Sequence, residues 1–371
     1  MSIYSKGGTA TNTAYNISGD VLLSAFDLEK NDLLSGLEDI VPGRLLVWHD
    51  EFDGSVVDSQ KWEHLYGYYT DYRYYMYQNN LSHNAFCQDG NLHYNNIKDS
   101  DMPLSDWTGA FIWTKDIFEF RYGLIEAKMK FPDNPVYHST FWTMGAGYER
   151  ICTPDAIADA SKGLLWATCG EIDIAEADNG VVSTAKHWAD NIETNHHVSG
   201  GHEILTNDAS NWHIYGCEWT GDYIKVYCDR VLKGTFPISD ADVGGFNAFR
   251  RPHFLIFNQL PQLNGMQEKT ELETQVAWVR VYAPEGVTEI IPDTALTLDS
   301  ASLIMSVGDT HLLTGLFTPV NPTDMTLLWG SSNPSVAIVY GGKVTALASG
   351  TATITATTKN GHTATCTVRV V

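Results

Sequence analysis

Gly170-Glu-Ile-Asp-Ile-Ala-Glu-Ala-Asp-Asn-Gly180 begins as a β-strand and then loses its own period. Glu171 and Asp173 alternate with Ile172 and Ile174, which places the two acids on one strand face. A third acid on that face belongs at position 175. Ala175 stands there instead, and the acid is Glu176. One extra residue, a β-bulge, returns Glu176 to the face of Glu171 and Asp173, and bulges are common beside active sites.

With the bulge, Glu171 and Glu176 behave as residues i and i+4, their Cα atoms ~13 Å apart at ~3.3 Å per residue. Side chains leaning inward bring the two carboxyls to the ~5–5.5 Å that suits a retaining glycosidase, with Asp173 between them. Crowded carboxylates oppose one another's ionisation, so at least one pKa should rise. One acid then stays protonated near neutral pH while its neighbour is a nucleophile. The other readings of the acids alone are a solvated acidic strand or a calcium site. Calcium draws more on carbonyls and loop residues than on one strand face.

The rest of the chain sets bounds. Its 371 residues allow two or three domains. Hydrophobic residues make up 43% and aromatics 12%, enough for large cores. The 45 acids against 23 bases leave a formal charge of −22. That argues against nucleic-acid and anionic-membrane partners, whose affinity rests on Lys and Arg. No apolar run approaches the ~20 residues that span a bilayer. The opening MSIYSKGGTATNTAYN lacks an apolar h-region, so no signal peptide is expected. The six cysteines are too sparse for a disulfide scaffold; a Cys152–Cys169 bridge and buried free thiols are the two readings.

Period-two runs dominate: Leu124–Phe131, Tyr223–Asp229 and Val276–Tyr282. Trp219–Tyr223 reads as a hairpin turn. Helical periodicity is nearly absent, with one short helix expected over Asp155–Lys162. This pattern predicts an all-β protein, with a two-sheet sandwich over 44–284. A linker punctuated by Pro and Gly follows at 285–294. From 295 to 371 aromatics thin out and Thr351–Thr357 alternates Thr with small apolar residues, which predicts a second, small β-sandwich. Residues 1–43 form a distinct segment with a weak repeat, Ala14-Tyr-Asn-Ile and Ala25-Phe-Asp-Leu, each followed by a leucine (Leu22, Leu33).

Glu171-Ile-Asp-Ile-Ala-Glu176 resembles the active-site strand of glycoside hydrolase family 16, in the bulged Glu-x-Asp-x-x-Glu form of laminarinase-like β-glucanases, agarases and carrageenases. The resemblance continues in order from about 45 to 284. Val47–Gly54, Asp58 and Lys61-Trp62 look like the opening strand, and Asp89–Leu92 like the second. Tyr122–Lys128 and Phe141–Gly145 resemble the approach to the acids, and Trp212–Trp219 and Trp278–Tyr282 the late strands. The resemblance implies a jelly-roll (concanavalin-like) sandwich with substrate in a cleft on one sheet. It makes Glu171 the nucleophile, Glu176 the general acid/base, and Asp173 the residue that positions and tunes Glu171.

A sugar cleft needs aromatic platforms and polar rims. Trp142, Trp113, Trp188 and Trp107 are candidate platforms; Trp142 and His187-Trp188 match positions that the family places near its cleft. Asn258-Gln259 resemble the polar end of its cleft strand. Tyr66–Tyr77 reads as a loop over the donor subsites or an aromatic-rich surface strand. No cofactor is required and no metal ligand is assigned. A structural calcium ion, frequent in the family, is weakened by Ala277, where many relatives carry an acid. His196, His197 and His202 read as a solvated loop rather than a metal site. Lys128 and the segment Ala177–Gly180 also depart from the family pattern, which leaves the substrate open.

The C-terminal 295–371 resembles a group 2 bacterial Ig-like domain through Leu328–Ala337, Gly342–Ala346, Gly350–Ile354 and Cys366–Val370. Such modules space or attach a protein on a bacterial or phage surface. The expected setting is extracellular, a cell surface or a virion. The expected partner is a polysaccharide, with no nucleic acid and no membrane insertion. The near-absence of basic residues in the cleft-side segments, Arg150 and Lys186 apart, favours a neutral β-1,3- or mixed β-1,3/1,4-glucan over a sulfated galactan. Neutral agarose and a non-catalytic glycan-binding or tail-attachment protein on the same sandwich are the alternatives. The intact acid trio weighs against the last.

Overall fold

The computed structural model describes residues 37–371 apart from 66, 72–73, 79–83, 99–106, 133–136, 154–155, 160–161 and 262–270. The repeat in the first 36 residues lies outside the described residues. The chain divides into two compact units, one of Trp48–Glu285 and one holding Gly286–Val371.

The larger unit is a jelly-roll sandwich. One sheet has thirteen strands, built on the antiparallel run of Gly123–Lys130, His213–Trp219, Tyr223–Cys228 and Glu271–Tyr282. The other has seven, in the order His196–Thr206, Val181–Asn191, Glu171–Asp178, Tyr137–Gly145, His253–Pro261, Phe111–Trp113, Glu63–His64. The acid strand thus lies near the middle of this sheet, flanked on both edges. Residues 67–71 and 74–78 form a strand hairpin rather than a loop. Residues 156–159, read as helix in the sequence, are also a strand; the short helix comes later, at Trp166–Cys169. These residues take backbone partners from Ile151–Thr153 and Gly67–Asp71 instead of closing a helical turn.

The two sheets meet through aromatics. Phe257 stacks on Phe141 with centroids 4.7 Å apart and meets Tyr94 of the larger sheet at 5.8 Å. Residues 139, 141 and 143, with 255, 257 and 259, therefore face the other sheet. Their even-numbered neighbours 138, 140, 142 and 144, with 254, 256 and 258, face away from it, toward the acids' side. Two polar side chains of the inward set, Ser139 and Gln259, are satisfied through Thr274: Ser139 Oγ lies 2.7 Å from Thr274 Oγ1, which donates to Gln259 Oε1 at 2.8 Å.

The described cysteines are buried free thiols, Cys169 among them, so it forms no bridge to Cys152. The smaller unit is an Ig-like sandwich around Val344, Ala337, Ile354, Cys366 and Val368. Its strand Gly350–Thr358 buries Ala352, Ile354, Ala356 and Thr358 and turns Thr351, Thr353, Thr355 and Thr357 outward.

Candidate active site

The acid strand carries the bulge that its sequence demands. Against Tyr137–Gly145, Ala175 pairs with Phe141 and Asp173 with Trp142, leaving Ile174 as the extra residue. Against Val181–Asn191, Asp173 pairs with Ala185 and Glu176 with Ser183, so Ile174 and Ala175 together oppose Thr184. Thr184 fills the broken ladder: its hydroxyl donates to the Asp173 carbonyl at 2.5 Å. A bulge without such a donor would bury an unpaired carbonyl, at a cost of about 1–3 kcal/mol. Ile172, Ile174, Ala175 and Ala177 are fully buried, while Glu171, Asp173 and Glu176 share the other face. Ala175 is small enough to enter the core beside Ile174, where a larger residue would overpack it.

Each acid has its own partners. Glu171 accepts from Trp166 Nε1 at 2.6 Å, and His187 Nε2 stands 4.0 Å from its other oxygen. Asp173 lies 3.1 Å from the same His187 nitrogen. Glu176 is more open and lies 3.1 Å from His138 Nε2. Burial first, then the charge of Asp173, hold the Glu171 carboxyl well above its usual range, with His187 and Trp166 pulling the other way. Burial and then Glu176 hold Asp173 well above its range. The two glutamates thus sit in unlike surroundings: Glu171 is enclosed, bonded by the Trp166 N–H with the His187 ring beside it, and Glu176 lies toward the open side next to His138.

Trp166 reaches Glu171 because of backbone geometry. Gly170 ends the short helix with φ +81° and turns the chain into the acid strand; a Cβ there would meet the Ala248 methyl at 2.6 Å. Gly145 lets that turn approach, since a Cβ on it would lie 2.1 Å from the Cys169 carbonyl oxygen.

The face holds part of the expected binding set. Trp142 pairs with Asp173, is half-buried, and donates its indole N–H to Asn258 Oδ1 at 2.6 Å; Thr140 donates to the same oxygen at 2.6 Å. Asn258 thereby fixes the Trp142 ring. His187 faces Glu171 across the ladder. Trp113 is on this face but is packed rather than offered. It is 1% exposed, edge-on to Phe111 and Phe254, with its indole N–H donating to Glu63 at 2.8 Å.

Trp188 and Gln259 are corrections. Trp188 follows His187 and Gln259 follows Asn258, so strand parity turns both into the interior between the sheets. Trp188 packs there on Phe249 under Lys186, and Gln259 bonds Thr274. Trp107 belongs to the thirteen-stranded sheet. Lys186 likewise faces inward, its ammonium on the Asp240 carboxylate at 2.6 Å and on the Pro237 carbonyl.

The sequence reading missed Trp166, His138 and His197. Period two along Tyr137–Gly145 would have paired His138 with Trp142; nothing local marks the other two. His197 is in a strand, not a loop, and its Nε2 lies 2.8 Å from His187 Nδ1.

Among the described residues, Glu171, Asp173 and His187 bring donor atoms within 4.8 Å of one another, as do His213, Cys228 and Asp229. The first three are engaged with Trp166, His197 and each other, so they read as a hydrogen-bonded set rather than metal ligands. In the second group His213 Nδ1 lies 2.7 Å from Asp229, and burial pushes the Cys228 thiol up to about 11, which disfavours the thiolate that a metal needs.

The profile of Glycosyl hydrolases family 16 matches residues 79–280, and that of the Bacterial Ig-like domain (group 2) matches 293–368. A glucan endo-1,3-beta-glucosidase A1 from Niallia circulans is 26% identical over 276 residues, 65% of this chain and 38% of that protein. A minor capsid protein of Enterobacteria phage T3 is 40% identical over 90 residues, 24% of this chain and 21% of its own. The chain thus spans well under half the length of these two curated relatives. Among solved structures, the catalytic domain of an endo-1,3-beta-glucanase (laminarinase) from Thermotoga petrophila superposes with a TM-score of 0.52 at 26% identity, covering 66% of this chain and all of that one.

Proposed function

The chain belongs to glycosyl hydrolase family 16, and on that premise we propose that it is a retaining endo-β-glucanase acting on β-1,3- or mixed β-1,3/1,4-glucan. The observation that carries this reading is the bulge at Ile174–Ala175, which puts Glu171, Asp173 and Glu176 on one face in unlike surroundings. Glu171, enclosed by the Trp166 N–H and His187, attacks the anomeric carbon. Glu176, on the open side, protonates the departing glycosidic oxygen. Water, deprotonated by Glu176, then releases the sugar from Glu171. His187 and the Trp166 N–H favour the ionised Glu171 that attack requires, against burial and Asp173, which oppose it. Trp142, fixed by Asn258, offers the flat apolar surface on which a pyranose packs.

Charge supports a neutral substrate. With Lys186 turned inward onto Asp240, Arg150 is the cation left of the two near the cleft, and it stacks on Phe111 and bonds the Tyr148 hydroxyl. A polyanion would also meet a formal charge of −22. Reducing-sugar release from laminarin, mixed-linkage β-glucan, agarose and carrageenan tests this. Release from the two glucans is expected; release from carrageenan alone, with both glucans untouched, overturns the substrate while leaving the mechanism. For Glu176→Ala on a substrate with a good leaving group, azide should restore turnover and give a glycosyl azide of retained configuration.

The Ig-like unit is read as an attachment module that sets the enzyme on a cell or virion surface, a reading supported by the likeness to a minor capsid protein. Cosedimentation of residues 286–371 with intact particles, compared with buffer alone, checks it.

A further inference from the structure

His187 has both ring nitrogens occupied. Nε2 faces Asp173 Oδ2 at 3.1 Å and Glu171 Oε1 at 4.0 Å, while Nδ1 lies 2.8 Å from His197 Nε2. A nitrogen–nitrogen contact of that length holds one proton, so one ring donates and the other accepts. The pair therefore carries at most one positive charge; a second would force the contact open. When the charge is on His187, it donates in both directions, to Asp173 and to a neutral His197.

We propose that His197 is a positioning residue for the nucleophile, accepting the His187 Nδ1 proton and so keeping His187 in the cationic, doubly donating form that faces Glu171 and Asp173. The proposal rests on the reading of Glu171 as nucleophile. The groups around the pair place the charge. From the acid strand His187 faces Glu171 and Asp173, with Glu176 beyond. From its own strand His197 meets His196, which is engaged by Asp190 at 2.6 Å, and His202 packs edge-on to His187 at 6.4 Å with its Nε2 on Ser199. From the short helix comes only an uncharged ring, Trp166, packed on His197 with centroids 4.5 Å apart. Carboxylates surround one imidazole and imidazoles the other, so the cation belongs on His187. His197, though largely exposed on its strand, is held below its usual pKa by partial desolvation and by His187 and His196. His197 also supports the nucleophile a second way, since the Trp166 ring on which it packs donates to Glu171 at 2.6 Å.

The test separates ring packing from proton acceptance. His197→Phe keeps a ring against Trp166 and removes the acceptor. His197→Gln keeps an amide oxygen that can accept from His187 Nδ1. In the full chain with ¹⁵N-labelled histidine, NMR reads the charge state of His187 directly, and melting curves establish that each variant is folded. His187 is expected to lose its proton at lower pH in His197→Phe than in the parent, and His197→Gln should recover most of the difference. A nearby cation favours the ionised carboxylate, so its loss raises the pH needed to ionise Glu171. The acid limb of kcat/KM on laminarin should then move up by about half to one pH unit in His197→Phe, the scale of one charge-assisted hydrogen bond. KM at the optimum should change less than about twofold, because His197 lies behind His187. Coincident His187 titrations in all three proteins overturn the proposal, as does an equal shift in the Phe and Gln variants. If the parent hydrolyses none of the polysaccharides, the nucleophile reading fails, and the His187 titration still decides whether His197 controls its charge.

Discussion

Strands Glu171–Asp178 and Gly350–Thr358 look alike as sequence, each alternating apolar with polar residues, and the structure treats them differently. Gly350–Thr358 pairs with Thr363–Val370 from Gly350↔Val370 to Thr357↔Thr363 without a slip, burying Ala352, Ile354 and Ala356. Glu171–Asp178 slips against both of its neighbours at the same place. A strand that only has to close a core keeps its period, since one residue of slip would turn its whole apolar set to solvent. The acid strand breaks period to gather three carboxylates, which then sit where burial and mutual repulsion hold Glu171 and Asp173 well above their usual pKa. One strand is arranged for stability; the other gives up stability for chemistry.

The sharpest way to expose that trade is Glu171→Gln. Turnover should fall by about 10³-fold or more, because the covalent step loses its nucleophile. The fold should gain. A carboxyl whose folded pKa lies above its unfolded value disfavours the folded state as pH rises from the unfolded pKa, near 4.3, through the folded one. Glu171→Gln should therefore melt higher than the parent at pH 7, and the difference should vanish below about pH 4, where both folded and unfolded glutamates are protonated. Calorimetric melting at the two pH values reads it. An unchanged rate, or a lower melting point at pH 7 than at pH 4 relative to the parent, would contradict the contrast between the strands.

Deleting Ala175 attacks the bulge itself. It restores strict alternation and gives the shorter Glu-x-Asp-x-Glu spacing, so Glu176 stays on the acids' face but moves one position closer. Turnover should fall by about 10²- to 10³-fold, the scale for misplacing a reacting group by ~1 Å or more, with a modest loss in melting temperature. The matching deletion of Ala352 in the regular strand should do the reverse to its own unit: every side chain beyond it changes face and the unit unfolds. Circular dichroism and rates on both deletions, side by side, check the pair.

The same contrast explains what the sequence shows and hides. Regular alternation made Leu124–Phe131, Tyr223–Asp229 and the C-terminal strands legible, and the failure of alternation at Ala175 made the bulge legible. Parity also excludes Trp188 and Gln259 from the cleft, because each directly follows a residue that faces the acids, and a resemblance carried by the dipeptides His187-Trp188 and Asn258-Gln259 does not distinguish their two faces. Trp166 and His197 were not legible. Trp166 arrives on a four-residue helix whose placement depends on Gly170 and on the close approach of Gly145. His197 arrives on a strand whose pairing with Val181–Asn191 slips three times, so counting residues gives no partner for it. Lys186 shows the same limit for charge: counted as a cleft cation, it is buried against Asp240 and Trp188.

The smallest effect on turnover should come from the regular strand. Ile354 is fully buried among Ala337, Val344, Cys366 and Val368, and it pairs directly with Cys366. Ile354→Ala removes three carbons from that core and leaves a cavity, which should cost the Ig-like unit about 2–5 kcal/mol. A small β-sandwich has only about 5–15 kcal/mol in all, so its denaturant midpoint should fall steeply. The acids keep their own core, with Phe141, Phe257, Ile172 and Ile174 fully buried in the larger unit, and a unit with its own core unfolds on its own account. The variant's kcat on laminarin should therefore stay within about twofold of the parent while the Ig-like transition moves. If kcat instead falls in step with the stability of Gly350–Thr358, the separation of a stability strand from a chemistry strand is wrong, and the two alternating sequences serve one function.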